Sequence, residues 1–319
     1  MNSRLSRLEE QTKKEKIEKK EKKKRYKEET KEIRKEKKKK IFKKTFIILF
    51  ILGIITLSYA HFIEPHMLLI HEHKIETNKI TNAYHGLKIV HFSDLHYGRS
   101  ENSKNIYKLI NQINELKPDI VVFTGDLIDD RVTLDDKEID NLTKSLAKID
   151  ATLGKYSILG NHDMNTPYSE KYQDIFYKSD FSFLINNYDL IYKDDNHPIF
   201  IYGLDDTYFG DPNFDSIKDL NLEDNTFKIL LLHEPDYIKE VDKDMNIDLA
   251  LAGHSHNGQV KIPFIRPLIL PEGSRAYYGP YYKVGNTDLF VSNGVGTSLL
   301  SLRLFSIPSI NLYRITKPN

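Results

Sequence analysis

The chain has 319 residues, with 47 Lys and Arg against 46 Asp and Glu, a formal charge of +1. That balance conceals a split: residues 1–44 hold 21 basic and 9 acidic residues (21 minus 9, about +12), and the remainder carries about −11. The whole-chain charge therefore predicts no partner. The absence of cysteine excludes disulfides, thiolate metal ligands and a cysteine nucleophile.

Residues 1–40 are almost wholly Lys, Glu, Arg and Gln, with Glu–Lys pairs at helical spacing and an apolar stripe too thin for a coiled coil. A solvated, partly disordered cytoplasmic tail is the expectation; a nucleic-acid or anionic-lipid tether is the alternative. Thr45 to Ile63 is a run of 19 residues without a charge. At 1.5 Å per residue it would span roughly 28 Å, about the hydrocarbon thickness of a bilayer. Lys43 and Lys44 abut its front, so the positive-inside rule puts the N-terminus in the cytoplasm and the rest of the chain on the far side. The long basic head favours an uncleaved single-pass anchor over a cleaved signal peptide, although Ser58-Tyr59-Ala60 resembles a cleavage site. Residues 64–86 read as a linker, where His61, His66, His71 and His73 cluster without a carboxylate pattern.

A domain is expected over 87–319. Its strands are predicted at 88–93, 119–124, 156–159, 226–232 and 249–252, with helices over 102–116 and 135–149. Lys117-Pro118 ends the first helix. The β-α-β-α-β opening argues for parallel strands with helices outside. Beyond residue 275 the pattern turns to short extended segments at 288–292, 300–304 and 310–315.

Seven metal-binding residue types follow these strands in order. They are Asp94 and His96 in S-D-L-H, Asp126 in T-G-D, Asn161 in G-N-H-D, His233 in L-L-L-H-E-P, and His254 and His256 in G-H-S-H. Strand ends of an α/β sheet are where side chains converge on ligands. Asp94 and His96 alternate on one extended segment, as do His254 and His256, so each pair faces one side. Asp126 has two oxygens with which one carboxylate can bridge two cations, and Gly125 permits close backbone approach. Carboxylates, imidazoles and one amide suit divalent Mn, Fe or Zn. Each motif alone is weak; in order and together they are specific.

On these residues the chain resembles the calcineurin-like metallophosphoesterase superfamily, from about Leu87 to Ile315. The resemblance implies a four-layer α/β/β/α sandwich. It implies that Asp94, His96 and His256 hold one divalent metal, that Asn161, His233 and His254 hold the other, and that Asp126 bridges them. It also implies that His162 is catalytic and no ligand. S-D-L-H-Y-G, G-H-S-H-N-G-Q-V-K-I-P and V-S-N-G-V-G-T are similar to a bacterial, membrane-associated branch. That branch more often has Arg where Asn293 stands and Pro-Glu-Ile where Pro308-Ser309-Ile310 stands, departures that touch no ligand.

The expected activity is hydrolysis of a phosphoester through a water activated by two metals, with His162 donating to the leaving oxygen or stabilising the developing charge, and Asp163 either orienting it or satisfying turn amides. The anchor points to a lipid or cell-envelope phosphoester, with a freely diffusing phosphodiester as the alternative. Tyr277, Tyr278, Tyr281 and Tyr282 are candidates for stacking or for packing, and Arg275 and Arg303 for phosphate contacts. Two other classes compete. An inactive membrane-anchored scaffold would have lost ligands, and none is lost. A nucleic-acid binder using the basic tail would place its tail and its site on opposite sides of the membrane.

Overall fold

The computed structural model describes residues 2–99, 106–193, 197–218, 220, 222–267 and 269–318, with side chains from residue 9 onward. It divides into two compact units, residues 1–58 and 59–319. The charged head and the apolar run form one helix, α1 (Asn2–Phe62). Its side chains are almost all exposed, and it carries a window of mean hydropathy 2.3, long and apolar enough to cross a membrane. Ile17 and Ile33 lie exposed on it, as the thin stripe predicts.

The second unit runs in order through β1 (Leu69–Glu76), β2 (Leu87–Phe92), α2 (Ile106–Glu115), β3 (Ile120–Thr124), α3 (Asp136–Leu146), β4 (Gly154–Ile158), α4 (Asn161–Met164) and α5 (Tyr172–Lys178). Then come β5 (Ser182–Phe183), β6 (Asn187–Ile191), β7 (Ile199–Gly203), β8 (Lys228–Leu231), β9 (Leu249–Ala252), β10 (Tyr281–Val284), β11 (Thr287–Val291) and β12 (Ser309–Thr316). Two six-stranded sheets result, ordered β1-β12-β2-β3-β4-β5 and β10-β11-β9-β8-β7-β6. β2 to β5 pair in parallel, as do β7, β8, β9 and β11.

Strand alternation builds the layers. Val90, Phe92, Val121 and Phe123 turn toward α2, α3 and α5, where Leu109, Ile113, Leu142 and Phe176 meet them. Ile89, Ile120 and Val122 turn the other way and pack on Ile201, Ile229 and Leu251 of the second sheet. Phe200, Tyr202, Leu230 and Ala252 form the outer face of that sheet, covered by Ile238 and Ile247. Each such aliphatic side chain, fully buried, contributes about 1.5–3 kcal/mol. The expected two-sheet α/β sandwich is present; over the second sheet's outer face the cover is short 3₁₀ turns at Pro235–Lys239 and Lys243–Met245 in place of α-helices. Asp135 caps α3: it accepts from the Glu138 amide at 2.7 Å while Glu138 accepts from the Asp135 amide at 2.9 Å. This reciprocal box satisfies amides at the helix start that have no partner within the helix.

Three expectations change. The segment 64–86 is more than a linker: β1 is an edge strand in register with β12 from Leu69–Ser309 to Glu76–Thr316, and Ile75, Ile80 and Tyr84 are core residues. Residues 300–304 form no strand; only Leu304 bridges Val260. The helix predicted over 102–116 is seen from Ile106, its first four positions lying outside the described residues.

Candidate metal centre

The parallel strands set the site. Asp94 and His96 follow β2, Asp126 follows β3, Asn161 opens α4 after β4, His233 follows β8, and His254 and His256 follow β9. Parallel strands end on one side, so these loops gather at the carboxyl edges of the two stacked sheets. The backbone there is unusual. Asp94, His96, Asp126, His254 and His256 all have positive φ, between 43° and 67°. Non-glycine residues adopt that region at a cost, and such residues concentrate at functional sites. Two glycines let the loops touch. A Cβ on Gly125 would come within 2.7 Å of His233 Nδ1, and one on Gly160 would strike Asp126 Oδ1.

Six of the seven candidates meet through ring nitrogens and carboxylate oxygens. Asp94, His96 and His256 form one cluster of ligand atoms, and Asp126, His233 and His254 a second. His256 Nε2 lies 3.5 Å from Asp94 Oδ1 and 3.1 Å from His96 Nε2. Asp126 Oδ2 lies 3.5 Å from His96 Nε2 and 3.3 Å from His233 Nε2, so one oxygen faces both clusters. Asn161 Oδ1 is buried without a hydrogen-bond partner, and its residue lines the same cavity as Asp126, His254 and His256.

The surroundings fix which nitrogen is turned to the site in two of the rings. A carbonyl only accepts, so the 2.6 Å contact from His233 Nδ1 to Thr124 O puts the proton on Nδ1. Nε2 is the nitrogen left to face Asp126, buried and without a hydrogen-bond partner. His254 Nε2 donates to Glu272 O at 2.7 Å, leaving Nδ1 free. Backbone carbonyls that hold the far nitrogen are the usual support of metal-ligating histidines. Burial pushes the pKa of His96 and of His254 down to about 3 and lowers His256 as well. These rings are therefore neutral near pH 7, the form that binds metal. Burial works against a charge on His233 too, but the Asp126 carboxylate overrides it and raises that pKa. Burial likewise raises Asp94 to about 6. A buried set of bare imidazole nitrogens, carboxylates and an orphaned amide oxygen fits divalent cations.

His162 sits beside the clusters, its ring 4.8 Å from that of His96 and nearly perpendicular to it. Its orienting carboxylate is Asp130, whose Oδ1 accepts from Nδ1 at 2.8 Å. Burial lowers the His162 pKa, Asp126 and Asp130 raise it, and the net shift is upward. Asp163 takes the other role open to it, accepting from the amides of Asp126, Leu127 and Gly160 at 2.7–3.0 Å. Asp130 lies in D-D-R at 129–131, which reads in sequence as a polar turn; Arg131 pairs there with Asp129, which in turn faces His96 Nδ1 at 3.6 Å.

Arg303 is not placed as a phosphate contact. It is fully buried and donates to the carbonyls of Asn293, Gly294, Gly296 and Ser306, with Nη2 3.2 Å from His256 Nδ1. Arg275 is exposed. Tyr277 and Tyr282 pack edge to face at 5.0 Å against the outer core, and Tyr281 packs on Phe290, so packing explains these three. Tyr278 carries the Arg266 guanidinium 5.7 Å above its ring. The cavity over the clusters holds about 380 Å³, and aliphatic side chains from residues 260–269 and 299–300 make up much of its lining.

Residues 87–258, spanning the six clustered candidates and Asn161, match the family model described as calcineurin-like phosphoesterase. The chain belongs to that family. This metallophosphoesterase is 35% identical over 262 residues to the uncharacterized metallophosphoesterase YkuE of Bacillus subtilis, covering 82% of this chain and 90% of that one. It is 27% identical to phosphodiesterase YaeI of Escherichia coli, over 81% and 92% of the two chains. It is 26% identical to the UDP-2,3-diacylglucosamine pyrophosphatase LpxG of Chlamydia muridarum, over 82% and 93%.

Proposed function

We propose that this metallophosphoesterase is a metal-dependent phosphohydrolase tethered to the cell membrane through residues 45–63. Its N-terminus would lie in the cytoplasm and its catalytic unit on the far side, a topology supported by Lys43, Lys44 and the basic head. Asp94, His96 and His256 would hold one divalent ion and Asn161, His233 and His254 a second, with Asp126 shared. When bound, such a pair polarises a phosphoryl group and makes water acidic enough to attack phosphorus near neutral pH.

The chain's own residues do the rest. Thr124 and Glu272 carbonyls hold His233 and His254 in the ligating tautomer. Asp130 holds the Nδ1 proton of His162 and leaves Nε2 as the proton-transfer atom. Protonated, His162 donates to the leaving oxygen as the ester bond breaks. A phosphodiester or a lipid-linked phosphate is the substrate class, in keeping with the activities named for YaeI and LpxG and with the aliphatic lining of the cavity.

The observation that carries this reading is the position of Asp126 Oδ2, 3.3 Å from one cluster's imidazole and 3.5 Å from the other's. Metal analysis of the purified chain, with assays on a phosphomonoester, a phosphodiester and a lipid pyrophosphate, tests it. About two equivalents of metal and hydrolysis that chelation abolishes are expected. Full-rate hydrolysis by metal-free protein would refute it.

A further inference from the structure

Exposed aliphatic side chains are not scattered over the second unit. Among its described residues, every exposed large aliphatic lies in one of three segments. These are Ile63 with Met67, Leu69 and Ile70; Ile262 with Ile265 and Ile269; and Leu299 with Leu300. Phe264, in the second segment, is 106% exposed and projects outside the cavity lining. Single exposed apolar residues are ordinary, whereas their concentration marks an interaction surface.

Hydrogen bonds tie the three segments together. Ala60 O accepts from the Arg303 amide at 2.8 Å, and Glu64 Oε1 accepts from the Ser306 amide at 2.6 Å. His61 Nδ1 donates to Ser301 O at 2.8 Å. Gln259 Nε2 donates to Leu300 O at 2.7 Å, and the Lys261 amide to Leu304 O at 2.8 Å. Ala60 and His61 belong to the charge-free run itself. The end of the candidate span is thus fastened to the loops that rim the cavity.

Charge agrees with this placement. No acidic residue falls in 259–270 or 297–307, while Lys261 and Arg266 do; the buried Arg303 adds no surface charge. An acid-free apolar surface with basic residues suits a bilayer interface carrying anionic headgroups.

We propose that Ile262, Phe264, Ile265 and Ile269, with Leu299, Leu300 and Phe305, are a second membrane contact, dipping into the interface of the same bilayer that the helix crosses, so that the cavity opens toward lipid. The contact itself stands on the apolar segments and their tie to the span; its catalytic consequence rests on the phosphoesterase reading above. A substrate with an acyl or polyprenyl tail then reaches the site from the membrane plane, its phosphate on the polar floor and its tail along Ile262, Ile265 and Leu299.

The chain has no cysteine, so Phe264→Cys in the full chain accepts one polarity-sensitive fluorophore. The protein is reconstituted in vesicles of phosphatidylethanolamine and phosphatidylglycerol, with and without brominated acyl chains. A blue-shifted emission quenched by bromine is expected at position 264. Tyr177→Cys, at a residue 81% exposed on α5, should show neither. No quenching at 264, a blue shift there without quenching (the mark of a covering protein or a second copy), or equal quenching at 177 each overturns the proposal. A second arm uses Phe264→Asp. It should leave hydrolysis of a small water-soluble phosphodiester unchanged and lower hydrolysis of a long-chain phosphodiester in vesicles by about tenfold. Equal loss on both substrates, or loss on neither, counts against the contact. If the unaltered chain hydrolyses neither substrate, the phosphoesterase reading fails, and the fluorescence result still decides the contact.

Discussion

His233 donates through Nδ1 to the carbonyl of Thr124 at 2.6 Å, and that single contact turns Nε2 toward Asp126. Thr124 ends β3 and His233 follows β8, so the bond spans the two sheets at the edge where the loops meet. His233→Ala is expected to lower bound metal from about two equivalents to about one and to cut kcat by roughly 10². Metal analysis on the folded variant checks it; full metal content would remove His233 from the ligand set.

Asp130 gives a prediction separable from metal binding. His162→Ala should lower kcat by about 10²–10⁴ with metal content unchanged. Asp130→Asn should do less, because the ring remains. The Asp130 carboxylate raises the His162 pKa, so its removal lowers that pKa. If His162 acts as the acid, the alkaline limb of kcat/KM then moves to lower pH. A profile that stays in place while the rate falls would make Asp130 merely structural.

His91 contributes to acid stability from outside the site. Its ring lies buried between Thr124 Oγ1 at 2.8 Å and Tyr313 OH at 3.3 Å, and burial pushes its pKa down to about 3 from 6.5. Between those values the unfolded chain binds more protons than the folded one. Stability from this residue is therefore full above about pH 6.5 and is lost as pH falls toward 3. His91→Gln should flatten the loss by up to one proton, read from urea midpoints at pH 7 and pH 4.5. Identical slopes in the two forms would contradict the assignment.

Arg303 is expected to be structural. Arg303→Met strands four buried carbonyls, at a cost of about 3–5 kcal/mol. Thermal unfolding should drop by roughly 10 °C. A variant that melts normally yet loses phosphate affinity would return Arg303 to the list of substrate contacts.

The sequence made the metal-binding residue types visible because each follows an apolar run that reads as a strand, and such runs survive without tertiary context. β1 was hidden for the opposite reason. L-I-H-E-H-K-I-E is an edge strand whose alternate residues face solvent, and its histidines resembled a juxtamembrane cluster. In the fold His73 stacks on Tyr313 and lies tilted against Phe290. β6 and β7 were not among the expected strands; they gain their identity from pairing with each other, Asn187–Gly203 to Ile191–Ile199. Asp130 was illegible because its partner His162 is 32 positions away and only folding brings the two to 2.8 Å. The Arg303 segment looked extended because L-S-L-R-L alternates, but its guanidinium is turned inward onto carbonyls.

The place of β12 has a consequence for biogenesis. It lies between β1 and β2, pairing with the first strand of the unit and the second alike. The two earliest strands therefore wait, unjoined, for residues 309–316 to be synthesised. This sheet cannot close while the ribosome still holds that segment, on whichever side of a bilayer the unit matures, and a chain cut before Ser309 would leave β1 with no neighbour. Such late, long-range closure is slow, and until it occurs the facing edges of β1 and β2 stay unpaired.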